Sequence, residues 1–346
     1  MLKPSLYVFQ WISDLGGADT RLKDLLLLLK NDFDITCIPN DDFRLKEKHN
    51  TDFLDKNGIK YTSFSNLSPR LNGYAYANCN FRIFEEKHRI QFIQESGLKF
   101  IWSNDMMWHT PDELKAVALG QINCILFTSP FHKSLMAPSV LDANPSQAIA
   151  VLENYFDSDS WIYFDRPQKT SVTCGKISRA DTMKYSEDFP IFYESATRNL
   201  PVDFKIMGWN DSLQKKYAWF NFSNSWEFLP ENGMNTQKWL ETIDIYLYNC
   251  NHKFIENQSR SLIEAQLTGC PIVAPNQWNF PNMVWNQRTG YLWDTLEDAQ
   301  EVLSILMNHD LRKQKGLLAS EFTRDLWCNV KVAKENWFKI IHIVNI

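Results

Sequence analysis

Glu256 and Glu264, with seven residues between them, flank a helix start in the run Ile255-Glu256-Asn257-Gln258-Ser259-Arg260-Ser261-Leu262-Ile263-Glu264-Ala265. The run reads as a loop, a helix beginning near Ser259 and, after Gly269-Cys270-Pro271, a buried strand over 271–275. The first N–H groups of such a helix lack intrahelical partners and carry partial positive charge, which suits an anion. The plain alternative is an amphipathic helix with two surface acids, Glu264 pairing with Arg260 at i,i+4. On an ideal helix the two acids would stand about 12 Å and about 80° apart. Joint action on one small ligand therefore requires Glu256 to lie outside the helix, folded over its start.

Three cations, Lys176, Arg179 and Lys184, fall within nine residues just beyond a predicted strand at 171–174. Arginine suits bidentate contact with a diphosphate and lysine supplies a point charge, while a solvated basic loop is the plain alternative. In the first half, Asn104-Asp105 follows a predicted strand at 100–102, and Asp105 and His109 are the acid and the imidazole beside a strand end there. A helix cap competes with catalysis as the role of Asp105. Gly16-Gly17 closes the turn after the apolar run 6–12 and allows close backbone approach, although the G-x-G-x-x-G dinucleotide fingerprint is absent.

The elements that must position these residues alternate. Strands are predicted at 6–12, 35–38, 59–64, 100–102 and 124–127, with helices over 19–31, 84–94 and 111–118 among them. A second series has strands at 171–174, 204–207, 243–248, 271–275 and 291–293, then helices over 296–307 and 310–322 and through the last twenty residues. Such alternation means mostly parallel sheets covered on both faces, with ligands at the carboxyl ends of the strands. The polar, proline-marked stretch 157–169 places a boundary near 167. It divides domain 1–167 from domain 168–325, with 326–346 as a helix that docks back on the first domain.

A chain of 346 residues, 44% hydrophobic and 22% charged, has room for two globular cores. The net charge of −5 and the lack of a concentrated Lys/Arg run exclude nucleic acid as the main partner. Leu25–Leu29 is the longest aliphatic run, too short for a bilayer, and the N-terminus lacks a signal-peptide core, so a cytoplasmic location is expected. Seven scattered cysteines without a C-x-x-C pair read as buried thiols, signalling neither a disulfide framework nor a zinc site.

The second half resembles the retaining family-4 glycosyltransferases of GT-B fold, whose signature is two glutamates separated by seven residues. Glu256 and Glu264 match it, followed by Ala265, Gly269 and Pro271-Ile272-Val273. Gly175-Lys176-Ile177-Ser178-Arg179 is similar to the family's phosphate-contacting loop, Asp14-Leu15-Gly16-Gly17-Ala18 to its first glycine loop, and Thr289-Gly290-Tyr291-Leu292 to its late Thr-Gly-aliphatic segment. The resemblance implies an α/β chain of GT-B architecture. Two doubly wound Rossmann-like domains would face a central cleft, the first binding an acceptor and the second a nucleotide-sugar donor.

It also implies roles. Glu264 would accept hydrogen bonds from the ribose hydroxyls, and Glu256 would contact the donor sugar and oppose charge at the anomeric carbon. Backbone N–H groups of Ser259, Arg260, Ser261 and Leu262 would meet the diphosphate, Lys184 would bind the same phosphates, and either Lys176 or Arg179 would fill the family's arginine role. Where many members carry His-Asp, this chain has Asn104-Asp105. Asn104 would then bond a sugar hydroxyl, with His109 as a substitute imidazole if its loop folds back. No cofactor is implied beyond the co-substrate, a UDP- or GDP-hexose, and no metal, because the cations stabilise the departing diphosphate. The acceptor is left as a glycan, a lipid-linked compound or another hydroxyl, with peripheral association at the inner face of a membrane also open and the oligomeric state unassigned. A catalytically silent GT-B subunit that binds a nucleotide sugar or glycan is the alternative, motivated by Asn104.

Overall fold

The computed structural model describes residues 3–13 and 17–346. The chain forms two compact units, one of Met1–Asp157 with Trp327–Ile346, the other of Ser158–Leu326.

The first unit is built on a seven-stranded, wholly parallel sheet of β1 (Ser5–Val8), β2 (Asp34–Cys37), β3 (Lys60–Tyr61), β4 (Tyr74–Asn78), β5 (Lys99–Ser103), β6 (Cys124–Phe127) and β7 (Ile149–Val151). Their order is β3-β2-β1-β4-β5-β6-β7, so the connection direction reverses between β1 and β4. Central strands buried on both faces read as continuous apolar runs, as Cys124-Ile125-Leu126-Phe127 does. Successive side chains still divide between faces. Ile101, Cys124 and Leu126 enter one core cluster, and Phe100, Trp102, Ile125 and Phe127 the other. The chain's last helix, Val330–Ile343, returns to the first of these clusters through Trp337 and Ile340. Trp337 meets Tyr76 edge-on at 5.5 Å, and burial of a side chain of that size contributes about 1.5–3 kcal/mol.

The second unit has a six-stranded parallel sheet of β8 (Val172–Ile177), β9 (Val202–Met207), β10 (Trp226–Leu229), β11 (Ile245–Leu247), β12 (Ile272–Pro275) and β13 (Gly290–Trp293), in the order β10-β9-β8-β11-β12-β13. This is the doubly wound order, with its switch point between β8 and β11.

Three strands escaped the sequence reading: β4, β7 and β10. β8 also runs further than expected, because Gly175 and Lys176 belong to it rather than to a turn. A Cβ at Gly175 would lie 2.5 Å from Ile243, so glycine here makes room for packing beneath the sheet. Gly208, at φ +98°, serves the loop instead, because a Cβ there would collide with the Ser178 carbonyl.

Candidate functional site

The loops leaving β8, β11 and β12 converge at the carboxyl end of the second sheet. Glu256 lies in the loop after β11, four residues before the helix Arg260–Leu267 begins, and is therefore outside it, as joint action with Glu264 requires. Neither glutamate is a surface acid, for Glu256 is 5% and Glu264 8% exposed. The Lys184 ammonium stands 2.8 Å from the Glu256 carboxylate, and the Tyr248 hydroxyl donates to the same oxygen. Burial, reinforced by that carboxylate, pushes the Tyr248 hydroxyl far above its ordinary pKa and keeps it a donor. Lys184 also lies 4.0 Å from the centre of the Phe254 ring.

Ser259 occupies the N-cap without making a side-chain capping bond, which leaves the N–H groups of the first turn, at Ser261 and Leu262, for a ligand. The Leu262 side chain itself is core. Ser261 shares a 2.8 Å hydroxyl contact with Tyr246, which in turn donates to the Ile177 carbonyl at 2.8 Å and so ties the helix start to the end of β8. Arg260 Nε is 3.5 Å from Glu264, the i,i+4 contact that the plain alternative foresaw, though within a buried pair.

Lys176 is an interior side chain rather than a loop cation. It is fully buried and donates to the carbonyls of Lys184 and Asn249, with the Tyr185 and Tyr248 rings at 4.3 and 4.7 Å. Burial pulls its pKa down to about 7. Its place in β8, one residue past Gly175, turns the side chain inward, whereas Arg179, beyond the end of the strand, is exposed. Lys216 belongs to no motif in the sequence. It holds the same loop by donating to Thr182 and Tyr185 carbonyls at 3.0 and 2.9 Å.

The first unit's candidates are placed differently. Asn104 is wholly buried, and its amide donates to the Trp108 carbonyl at 3.0 Å and to Glu113 at 3.0 Å while its oxygen accepts from Met106 N–H at 2.8 Å. His109 is sealed between Glu113 at 3.0 Å and the Met136 carbonyl at 3.1 Å. Burial alone would lower the His109 pKa, but the Glu113 carboxylate and the Met136 carbonyl reverse this, and the net shift is upward. Asp105 is ion-paired with the buried Arg21, which also donates to Ser103 at 2.9 Å and to the Leu152 carbonyl at 2.8 Å.

These positions correct the expectation of a sugar-contacting Asn104 and a substitute imidazole at His109. Both side chains complete the solvation of Glu113, a fully buried carboxylate that also accepts from the Trp102 indole at 2.7 Å. Glu113 also closes a capping box with Thr110 at the start of the helix Pro111–Ala118. Gly17 opens the helix Gly17–Leu29, and Gly16 lies outside the described residues. Of the aromatics in this half, Tyr76, Phe84 and Trp102 are core, whereas Trp108 is exposed and stacked on Phe81 at 4.8 Å.

Among the described residues no three His, Cys, Asp or Glu side chains are grouped to hold a metal ion. The sequence contains two Asp-x-Asp triplets, Asp32-Phe33-Asp34 and Asp157-Ser158-Asp159. The first is ion-paired with Lys334 and Lys60 at the amino end of β2, away from the carboxyl ends of the strands. The cysteines are unbridged, and all but Cys79 are buried.

No family model and no curated protein matches the sequence. Solved structures do match the fold over nearly the whole chain. One of Anabaena Alr3699/HepE in complex with UDP and glucose is 13% identical, with a TM-score of 0.70 over 98% of this chain and 99% of that one. The chain has the GT-B fold. Sucrose-phosphate synthase from Thermosynechococcus elongatus is 12% identical at a TM-score of 0.69, covering 99% of both chains. The lipopolysaccharide outer core galactosyltransferase WaaB is 14% identical at 0.66, covering 97% of this chain and 98% of its own. No helix among the described residues is long and apolar enough to cross a membrane.

Proposed function

We propose that the chain is a retaining glycosyltransferase that moves a hexose from a nucleotide-diphosphate sugar to a hydroxyl acceptor. The observation that carries this reading is the Lys184–Glu256 pair at the switch point of a doubly wound sheet, beside an uncapped helix start and a second buried glutamate. A nucleotide sugar has a charged middle and two hydroxylated ends. Lys184, Arg179 and the N–H groups of Ser261 and Leu262 suit the diphosphate, Glu264 the ribose and Glu256 the sugar. That similar folds were solved with UDP-glucose supports a uridine donor.

In the chemical step the glycosidic bond to the diphosphate breaks while the acceptor hydroxyl attacks from the same face and passes its proton to the departing phosphate oxygen. The protein contributes orientation and stabilisation of the leaving charge, work that Lys184 and Arg179 can do without a divalent ion. The acceptor is assigned to the N-terminal unit as a glycan or lipid-linked hydroxyl compound. A catalytically silent binding subunit is the second reading, and the sealed state of Asn104 and His109 favours it. Incubation with a panel of UDP- and GDP-hexoses, with and without chelator, separates the two. Release of nucleoside diphosphate that survives chelation supports the transferase, and saturable binding without release supports the silent subunit.

A further inference from the structure

Five described residues other than glycine hold a left-handed backbone: Cys79, Asn199, Asn232, Trp278 and Gln287. Asparagine tolerates this conformation, whereas a bulky aromatic in it is a genuine outlier. Trp278 has φ 51° and stands just past the carboxyl end of β12. Its indole N–H is buried and makes no hydrogen bond among the described residues, a second unfavourable feature at one position. Glycine would relieve the first and phenylalanine the second; Trp239, Trp293 and Trp337 share the unbonded indole, and the left-handed backbone sets Trp278 apart from them.

The backbone conformation has a visible use. The peptide group that follows Trp278 donates through Asn279 N–H to the Glu256 carbonyl at 3.4 Å, and the buried Asn279 side chain donates to the Asn257 carbonyl. Trp278 is therefore one peptide bond from the group that fixes the Glu256 loop. Glycine would serve that backbone purpose as well, which leaves the half-buried ring to be explained. Backbone outliers of this kind cluster at functional positions.

We propose that Trp278 is a specificity-determining residue whose ring walls the part of the site where Glu256 meets the donor sugar, selecting among hexoses by the room it leaves. This rests on the nucleotide-sugar reading. The backbone strain fixes the loop, and the indole sets the shape beside it.

The test compares wild type, Trp278→Phe and Trp278→Gly in the full chain. It measures affinity for UDP and GDP, the unfolding midpoint, and the ratio of kcat/KM for two hexoses carried on the base that wild type prefers. The ratio should fall about tenfold in Trp278→Gly and about threefold in Trp278→Phe. Diphosphate affinity should stay within about twofold, because the ring borders the sugar rather than the phosphates, and neither midpoint should drop. An unchanged ratio in Trp278→Gly overturns the inference, as does a loss of diphosphate affinity in step with a falling midpoint. Wild type that neither binds UDP or GDP nor turns over a donor overturns the nucleotide-sugar reading and the inference with it, whereas a wild-type preference that Trp278→Gly retains sinks the inference alone.

Discussion

Both sheets carry charged and polar residues beyond their carboxyl ends, and the two sets are arranged to opposite effect. In the N-terminal unit Glu113 is surrounded by donors from Trp102, Asn104 and His109, and Arg21 closes over Asp105, so each group is answered from inside the fold. In the C-terminal unit the buried lysine, Lys176, holds backbone carbonyls, Lys184 and Glu256 pair at the carboxyl end of the sheet with Lys184 partly exposed, and Arg179 is exposed. Position at a strand end does not by itself make a residue functional. What separates the two sets is that the first is closed on every side, whereas the second keeps a partly exposed ammonium at Lys184 and an exposed guanidinium at Arg179.

The largest effect expected from this contrast is on stability in the first unit. Glu113→Ala leaves the His109 ring and the Trp102 indole N–H without their buried carboxylate partner and should lower unfolding stability by about 3–5 kcal/mol in urea titration. A shift below about 1 kcal/mol would show that the cluster is not the structural unit described. In the second unit the corresponding change should appear in rate. Glu256→Gln keeps the size of the side chain while removing its charge, and should reduce donor turnover by about 10²–10³-fold with the fold retained.

The two clusters should also respond to pH with opposite sign. The folded pKa of His109 stands above the ordinary 6.5, so its contribution is complete below 6.5 and is lost as pH rises through the folded value. Lys176 titrates near 7 when folded against an ordinary 10.5, so across that window the unfolded chain binds more protons and stability rises with pH. Hydrogen exchange of the two sheets at about pH 6 and about pH 8.5 reads them separately. Protection should fall in the first sheet and rise in the second, with His109→Gln and Lys176→Met each flattening only its own unit. A common direction in both units would erase the contrast.

Much of this was legible in the residues. Alternating strands and helices announced two parallel sheets, and the spacing of Glu256 and Glu264 about a helix start located the polar end of the second one. The rest was hidden for physical reasons. Tyr74-Ala75-Tyr76-Ala77-Asn78 lacks the β-branched character by which a strand is recognised, so β4 passed unnoticed. Ending β8 at Cys174, where the apolar run stops, turned Lys176 from an interior ammonium into a surface cation, because one further pair of residues decides which way it points. Glu113 had no reading in the sequence, because a Thr-Pro-Asp-Glu helix start gives no sign that its glutamate is buried against an imidazole. Trp278 has no sequence signal at all, since a left-handed tryptophan is visible only in the backbone.

The most direct measurement is donor turnover by Lys184→Ala beside wild type, normalised to folded protein. If the carboxyl end of the second sheet is where a nucleotide sugar is held, release of nucleoside diphosphate should fall about 100-fold while the unfolding midpoint moves by only a few degrees. A wild-type rate from Lys184→Ala would contradict the account.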